Sequence, residues 1–222
     1  MLAHLRVLGV GDDRDPCGGH GHLRVLGWAP GMGVTIVAAT GLEAGAARRA
    51  VPGVRVVRAG VGLSRLTGRG TGAGLGGAVV VCGLAGSLRA GLGIGTVLVP
   101  ERLCGPGGGE RACDPELAAA LVAGARRLGL EPERGPLATT RELVVGPARE
   151  AWAARGCVAA DMESGLLEAE QVAVVRVVLD TPERKLSVAR LRPAAWRELP
   201  WLAREGPRCA RLAAAVLAAG LG

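Results

Sequence analysis

The sequence predicts an α/β layer fold around a mainly buried sheet. Three observations carry that prediction. Short β-branched runs at Val34–Ala39, Val54–Arg58, Ala78–Cys82 and Val172–Leu179 alternate with Ala-rich, charge-bearing stretches. Alternation of that kind points to strands covered by helices. The runs at Val34–Ala39, Ala78–Cys82 and Val172–Leu179 read as buried strands. The 222 residues are 49% hydrophobic and 21% charged, enough apolar side chains for a full core.

The elements follow in order. Val34–Ala39 is a buried strand. Leu42–Ala50 is a helix stopped by Pro52 and Gly53. Val54–Arg58 is a second strand. Residues 60–77 are dense in Gly, which weakens a helix starting at Ser64 by roughly 1 kcal/mol per Gly relative to Ala. Ala78–Cys82 is a strand that runs into a loop of small residues, Gly83–Leu88. Gly95–Pro100 is another strand. Pro115–Leu128 and Pro147–Arg155 are helices. Val158–Asp161 is a short strand, followed by a short helix from Met162 to about Gln171. Val172–Leu179 is an apolar strand, and Arg208–Ala219 an amphipathic helix.

Residues 1–31 differ from the rest. His4–Gly9 repeats as His22–Gly27, and all three histidines lie in this stretch. It is expected to be a flexible or mis-assigned N-terminal extension, with the working domain at 32–222. Cys17, His20 and His22 carry metal-ligating side chains. However, the six cysteines form no C-x-x-C pair and fit no zinc spacing. No metal and no cofactor is expected.

Composition excludes other classes. The 37 Gly follow no three-residue period, which excludes collagen. With no Phe or Tyr and four Trp, a stacking platform for single-stranded nucleic acid has too few aromatic faces. The net charge of +7 comes from scattered arginines, not one basic run, so no nucleic-acid partner is expected. No apolar run approaches the ~20 residues of a membrane span, and no signal-peptide pattern is present. A cytoplasmic location is expected.

Four segments carry chemistry. Gly72–Gly77 matches G-x-G-x-x-G, but no clear strand leads into it and no acid follows at the right distance. Gly83–Leu88 follows a buried strand, and its glycines let a ligand approach the backbone. Alternatively, it is an ordinary tight loop. Asp161-Met162-Glu163-Ser164 puts two carboxylates around a methionine at a strand end. Carboxylates there can accept from a sugar diol and a Met can pack on the sugar face; an N-capped helix is the other reading. Asp180 ends an apolar strand before Thr181 and Pro182, the position of a desolvated acid or of a turn-starting Asp.

Taken in order, Ala39-Thr40-Gly41-Leu42-Glu43, the G-x-A-G core of Gly83–Leu88, Asp161–Ser164 and Arg176…Asp180-Thr181-Pro182 resemble the nucleoside phosphorylase/nucleosidase superfamily. That superfamily includes methylthioadenosine/S-adenosylhomocysteine nucleosidase. The Leu88–Pro100 stretch and the Asp-Met-Glu-Ser form look most like its hopanoid-associated branch, which releases adenine from adenosylhopane. The resemblance implies a single-domain, three-layer α/β/α fold with a mixed, mostly parallel sheet, and an N-ribosyl hydrolase acting on an adenine nucleoside. It implies that Asp180 protonates purine N7, Glu43 positions the attacking water, Glu163 holds the ribose 2′-OH and Met162 packs on the ribose. Ala85 and Gly86 would line the site, and Leu143 or Val144 would take the place of the family's stacking aromatic. A phosphorylase, which would need basic groups such as Arg65 or Arg89 around phosphate, and a non-catalytic nucleoside binder are the alternatives. The implied partners are a small-molecule nucleoside, including a lipid-linked one with transient membrane-surface contact, and further copies of the chain in a homo-oligomer.

Overall fold

The computed structural model describes residues 33–66, 75, 77–184 and 199–222. The N-terminal extension with Cys17, His20 and His22, and most of the Gly72–Gly77 motif, lie outside the described residues.

Nine strands form one mixed sheet among the described residues. They are β1 (Val34–Ala38), β2 (Arg55–Arg58), β3 (Ala78–Ser87), β4 (Val97–Leu98), β5 (Arg102–Cys104), β6 (Glu110–Ala112), β7 (Leu137–Thr139), β8 (Ala159–Asp161) and β9 (Gln171–Asp180). The order is β2-β1-β3-β8-β7-β5-β6, with β9 pairing β3 and β4. Most pairings are parallel. The exceptions are β3 with β8, β4 with β9 and β5 with β6. Among the described residues four helices accompany the sheet: α1 (Gly41–Ala50), α2 (Pro115–Arg127), α3 (Pro147–Ala154) and α4 (Leu199–Leu221). None is long and apolar enough to cross a membrane, among the described residues.

Helix starts follow from local chemistry. Thr40 caps α1 in a capping box, accepting from the Glu43 N–H while the Glu43 side chain accepts from the Thr40 N–H. Asp114 caps α2 by accepting from Glu116 N and Leu117 N, and Pro115 fills the first position, where no N–H is needed. Helix α4 begins nine residues before the expected Arg208 and runs through Pro207.

Strand β3 places the site. It does not end at Cys82; it continues through Gly83 to Ser87, where a loop was expected. Parallel β9 pairs it along its whole length, from Ala78↔Gln171 to Gly86↔Asp180, with a bulge at Ala85/Gly86. On its other side β1 pairs the first half, and antiparallel β8 takes over at Gly86↔Ala160 and Ser87↔Ala159. The carboxyl end of β3 is thus enclosed by β8 and β9. In open α/β sheets, such strand ends are where ligands bind.

Successive residues of the central strands feed different cores. Val80, Cys82, Val175 and Val177 pack with Leu117, Leu121, Ala213 and Leu217 of α2 and α4. Val79, Val81, Val174 and Val178 point the other way, to Leu98, Leu103 and Leu137 of the same curving sheet. Helix α3 covers a smaller cluster around Leu88, Ala138 and Cys157. The five described cysteines are all buried and free. Burial pushes the Cys82 and Cys157 thiols up to about 12.

The helix expected from Met162 to Gln171 is absent; only the 3₁₀ turn Ser164–Leu166 forms. Register gives the reason. Asp161 ends level with the Ala85 region of β3, whereas β9 starts level with Ala78. The chain must descend about seven residues of strand, roughly 23 Å. A nine-residue helix spans only about 14 Å, so an extended path is required.

Candidate active site

Two buried arginines organise the end of β3. The first is Arg176, on β9 and fully buried. Its Nε and Nη2 donate to Asp161 Oδ2 at 3.0 and 2.6 Å, and Nη2 donates to Glu163 Oε2 at 3.0 Å. Its Nη1 lies 3.9 Å from Glu43 Oε1 and has no hydrogen-bond acceptor among the described residues. Three carboxylates from three segments therefore converge on one guanidinium.

Each carboxylate is held from behind. Glu43 Oε2 accepts from Thr40 N and Oγ1, both at 2.7 Å, and Oε1 accepts from Leu84 N at 2.8 Å. Asp161 accepts from Thr139 Oγ1 at 2.7 Å and from the Ser164 hydroxyl. Glu163 Oε1 accepts from Gly62 N at 3.0 Å. Gly83 is needed for the close approach. A Cβ there would overlap Glu43 Oε1 and lie 2.6 Å from Arg176 Nη1.

The cluster's charge is uneven, with three carboxylates against one guanidinium. Burial raises the Glu163 carboxyl above its ordinary range; Arg176 pulls it down, and Asp161 and Glu43 push it further up. For Arg176, burial opposes the charged form, but Asp161, Glu163 and Glu43 together more than reverse that.

The second arginine is Arg149, from the first turn of α3 and also buried. Its Nε donates to Val144 O at 3.1 Å and its Nη1 to Ser87 O at 2.7 Å. Its Nη2 pairs with Asp180 Oδ2. This ion pair lines a small cavity of about 30 Å³, together with Gly86, Leu143, Val144, Asp161 and Met162. That volume holds about one water molecule. Gly86 keeps the cavity open beside the acid, since a Cβ there would lie 3.0 Å from Asp180 Oδ2.

The residues singled out in the sequence thus fall into two adjoining groups. Glu43 and Glu163 meet on Arg176. Asp180, Met162, Gly86 and Val144 line the cavity. Asp161 belongs to both, since it lines the cavity and pairs with Arg176. Ala85 is buried in β3 and is not in the cavity wall; its neighbour Gly86 is. Arg89 is half-exposed and pairs with Glu133 at the surface.

Sequence reasoning did not pick out Arg149, and it named Arg176 only as the start of the Arg176…Asp180 motif, with no role assigned. Arg176 had a signal: it is the one charged residue inside the apolar run Val172–Leu179, and a buried charge needs partners. Arg149 had a weaker one, a cation in the first turn of a helix, where the macrodipole disfavours it. Among the described residues, no cluster of His, Cys, Asp and Glu could hold a metal ion.

Comparison with solved structures places the fold. S-adenosylhomocysteine nucleosidase from Streptococcus pyogenes, solved with 5-methylthiotubericidin, superposes with a TM-score of 0.66 at 18% identity, over 88% of this chain and 98% of that one. A futalosine hydrolase mutant of Helicobacter pylori gives 0.64 at 16%, over 85% and 98%. A 5′-methylthioadenosine/S-adenosylhomocysteine nucleosidase from Colwellia psychrerythraea, solved with adenine, gives 0.64 at 16%, over 86% and 95%. No protein-family model and no curated protein matches the chain by sequence. The architecture is therefore the one these nucleosidases share, as the sequence resemblance implied.

Proposed function

We propose that the chain is an N-ribosyl hydrolase that cleaves the glycosidic bond of an adenine nucleoside. The observation that carries this reading is the convergence of Glu43, Asp161 and Glu163 on Arg176, beside the Asp180 cavity, in a fold shared with solved nucleosidases. Glycosidic cleavage passes through an oxocarbenium-like state. A net-negative cluster at the sugar end stabilises that positive charge. Glu163 retains acceptor capacity for a ribose hydroxyl, because each carboxylate oxygen can take two hydrogen bonds. Met162 covers the sugar face, and Asp180 attends the leaving base.

Water is the nucleophile in this reading. Glu43 Oε1 and Arg176 Nη1 are 3.9 Å apart, a separation that one bridging water satisfies. Glu43 then accepts the water's proton as its oxygen attacks C1′, which general-base help accelerates by about 10²–10⁴. Three carboxylates around one guanidinium would repel a phosphate anion, and Arg89 is engaged by Glu133. Both features favour hydrolysis over phosphorolysis.

The finer substrate reading is an apolar 5′ substituent, as in adenosylhopane. Leu42, Val61 and Val145 are exposed large hydrophobics. Each is the sequence neighbour of a site residue or of its partner: Glu43, Gly62 and Val144. Exposed apolar side chains in these segments would suit a ligand with a large apolar group and brief contact with a membrane surface. We assign the enzyme to the cytoplasm as a homo-oligomer, which light scattering in solution checks.

The test is base release by chromatography. Methylthioadenosine, S-adenosylhomocysteine, inosine and an adenosine with an apolar 5′ group are each given with and without phosphate, beside Asp180→Asn. Adenine release without phosphate, lost in the variant, is the expected result. Binding without release would instead indicate a nucleoside-binding protein, and release only with phosphate a phosphorylase.

A further inference from the structure

We propose that Arg111, on the edge strand β6, is a positioning residue for Glu163: it holds the extended segment that follows Glu163 and so fixes the carboxylate that meets the ribose. This inference rests on the nucleosidase reading, in which Glu163 accepts from a sugar hydroxyl.

Three observations carry it. First, residues 167–170 lie between the turn Ser164–Leu166 and the first ladder pair of β9, Ala78↔Gln171. They belong to neither helix nor strand, so their carbonyls need donors from elsewhere. Second, one side chain supplies those donors. Arg111 Nη1 donates to Leu167 O at 3.1 Å, and Nη2 donates to Ala169 O and to Glu170 O, the latter at 3.0 Å. A guanidinium can do this because it carries five donors in a fixed fork, whereas a lysine ammonium has three donors on one atom. Third, neighbouring contacts continue the clamp on both sides. Gly165 N donates to Thr139 Oγ1 at 2.8 Å, and Gln171 Nε2 donates to Asp114 Oδ2 at 3.0 Å. Asp114 N in turn donates to Val172 O at 2.7 Å. Arg111 lies in β6 and Asp114 caps α2, so one short stretch of chain grips the whole segment.

The clamp bears on the sugar end of the site. Glu163 precedes the held segment, and Arg176 follows it on β9. Their contact, Nη2 to Oε2 at 3.0 Å, requires the segment to keep one length and one path. A freed segment would let Glu163 move away from its two partners, Gly62 N and Arg176. Misplacement of a group at a reacting centre by about 1 Å can cost about 10²-fold in rate. The bonds of Arg111 go to Leu167, Ala169 and Glu170, none of which lines the cavity, so Arg111 acts through Glu163.

The experiment compares adenine release from methylthioadenosine and from its 2′-deoxy analogue, as the ratio of the two kcat/KM values. The intrinsic lability of the substrates is common to every variant, so a change in the ratio reports the hold on the 2′-hydroxyl. Arg111→Met should lower the ratio about tenfold or more relative to wild type, the size of one hydrogen bond to a charged group. Arg111→Lys, which keeps the charge and part of the bonding, should lie between the two. In a Glu163→Ala background, Arg111→Met should change the ratio no further, because the carboxylate it positions is gone. Arg102→Met, which breaks an exposed pair with Glu110, should leave the ratio at the wild-type value. Hydrogen exchange of the unliganded chains checks the clamp itself: amides of 166–170 should lose protection in Arg111→Met while those of β1 keep theirs. If Arg111→Met fails to fold, Arg111→Lys carries the comparison, with a ratio below wild type and lost protection in the same amides expected. Equal losses on both substrates, or a ratio that falls again in the Glu163→Ala background, would make Arg111 a structural residue only and overturn the inference, while adenine release by wild type leaves the nucleosidase reading standing. If wild type releases adenine from neither substrate, both fall.

Discussion

Arg176 and Arg149 are both buried, both paired with acids and both at the end of β3, yet they hold unlike environments. Arg176 gathers three carboxylates and leaves its cluster net negative. Arg149 meets one carboxylate and two backbone carbonyls and leaves its pair neutral. Under the proposed hydrolase reading, the difference would map onto the two halves of a glycosidic bond. The sugar half becomes positive as the bond breaks, and a negative cluster suits it. The base half becomes negative, and a fixed donor suits that. On that reading the two arginines would face opposite developing charges.

Breaking the larger cluster should have the larger effect. Arg176→Met leaves Asp161, Glu163 and Glu43 buried without their counter-charge. Loss of one partner from a buried ion cluster costs about 3–5 kcal/mol, so the midpoint of urea unfolding should fall sharply, and base release with it. A midpoint near wild type would mean that the cluster is not what holds this strand end.

Gly83→Ala attacks the same cluster more gently. The added Cβ overlaps Glu43 Oε1 and crowds Arg176 Nη1. Overpacking of this kind costs about 1–3 kcal/mol, but the displaced Glu43 should lower base release by about 10²-fold or more. An active Gly83→Ala variant would show that Glu43 need not sit on Arg176.

Glu163→Gln sharpens the comparison through pH. Burial raises the Glu163 carboxyl, so the folded state binds its proton more tightly than the unfolded chain does. That contribution to stability is present below the unfolded value and is lost as pH rises through the raised folded one. Gln does not titrate. The variant should therefore lose less stability than wild type between about pH 4 and neutrality, as read from urea midpoints across that range. An identical pH slope in both proteins would place Glu163 outside the charge-crowded cluster.

The smallest effect should come from Arg89→Ala. Arg89 and Glu133 form a pair at the surface, and such pairs contribute about 0–1 kcal/mol. Stability and base release should both stay close to wild type. A selective loss of phosphate-dependent release would instead mark Arg89 as a phosphate ligand.

How much of this was legible in the sequence depended on element length and on partners. Strands β1, β3 and β9 and helices α1, α2 and α3 were readable, because five to thirteen residues carry enough pattern. The three-residue strands β5, β6 and β7 were not, whereas β8, of the same length, was read within the run Val158–Asp161. The loop expected at Gly83–Leu88 became strand because β9 supplied a parallel partner along its whole length. Small residues there reflect crowding by Glu43 and Asp180, not a turn. The helix expected after Glu163 failed on length, which only the β8 and β9 registers reveal. For the candidate site, Glu43, Met162, Glu163 and Asp180 were singled out through motif order. Arg149 was not, and Arg176 came in a motif without its pairing, because pairing is set by tertiary contact between segments 13 to 133 residues apart, from Arg176 to Glu163 and to Glu43.

The most direct measurement is the rate of adenine release from methylthioadenosine in phosphate-free buffer, by wild-type chain and by Glu43→Gln. Release by wild type that falls about 10²-fold or more in the variant, with both proteins folded, is the result predicted for water held between Glu43 and Arg176. Equal rates in the two proteins, or release that requires phosphate, would contradict it.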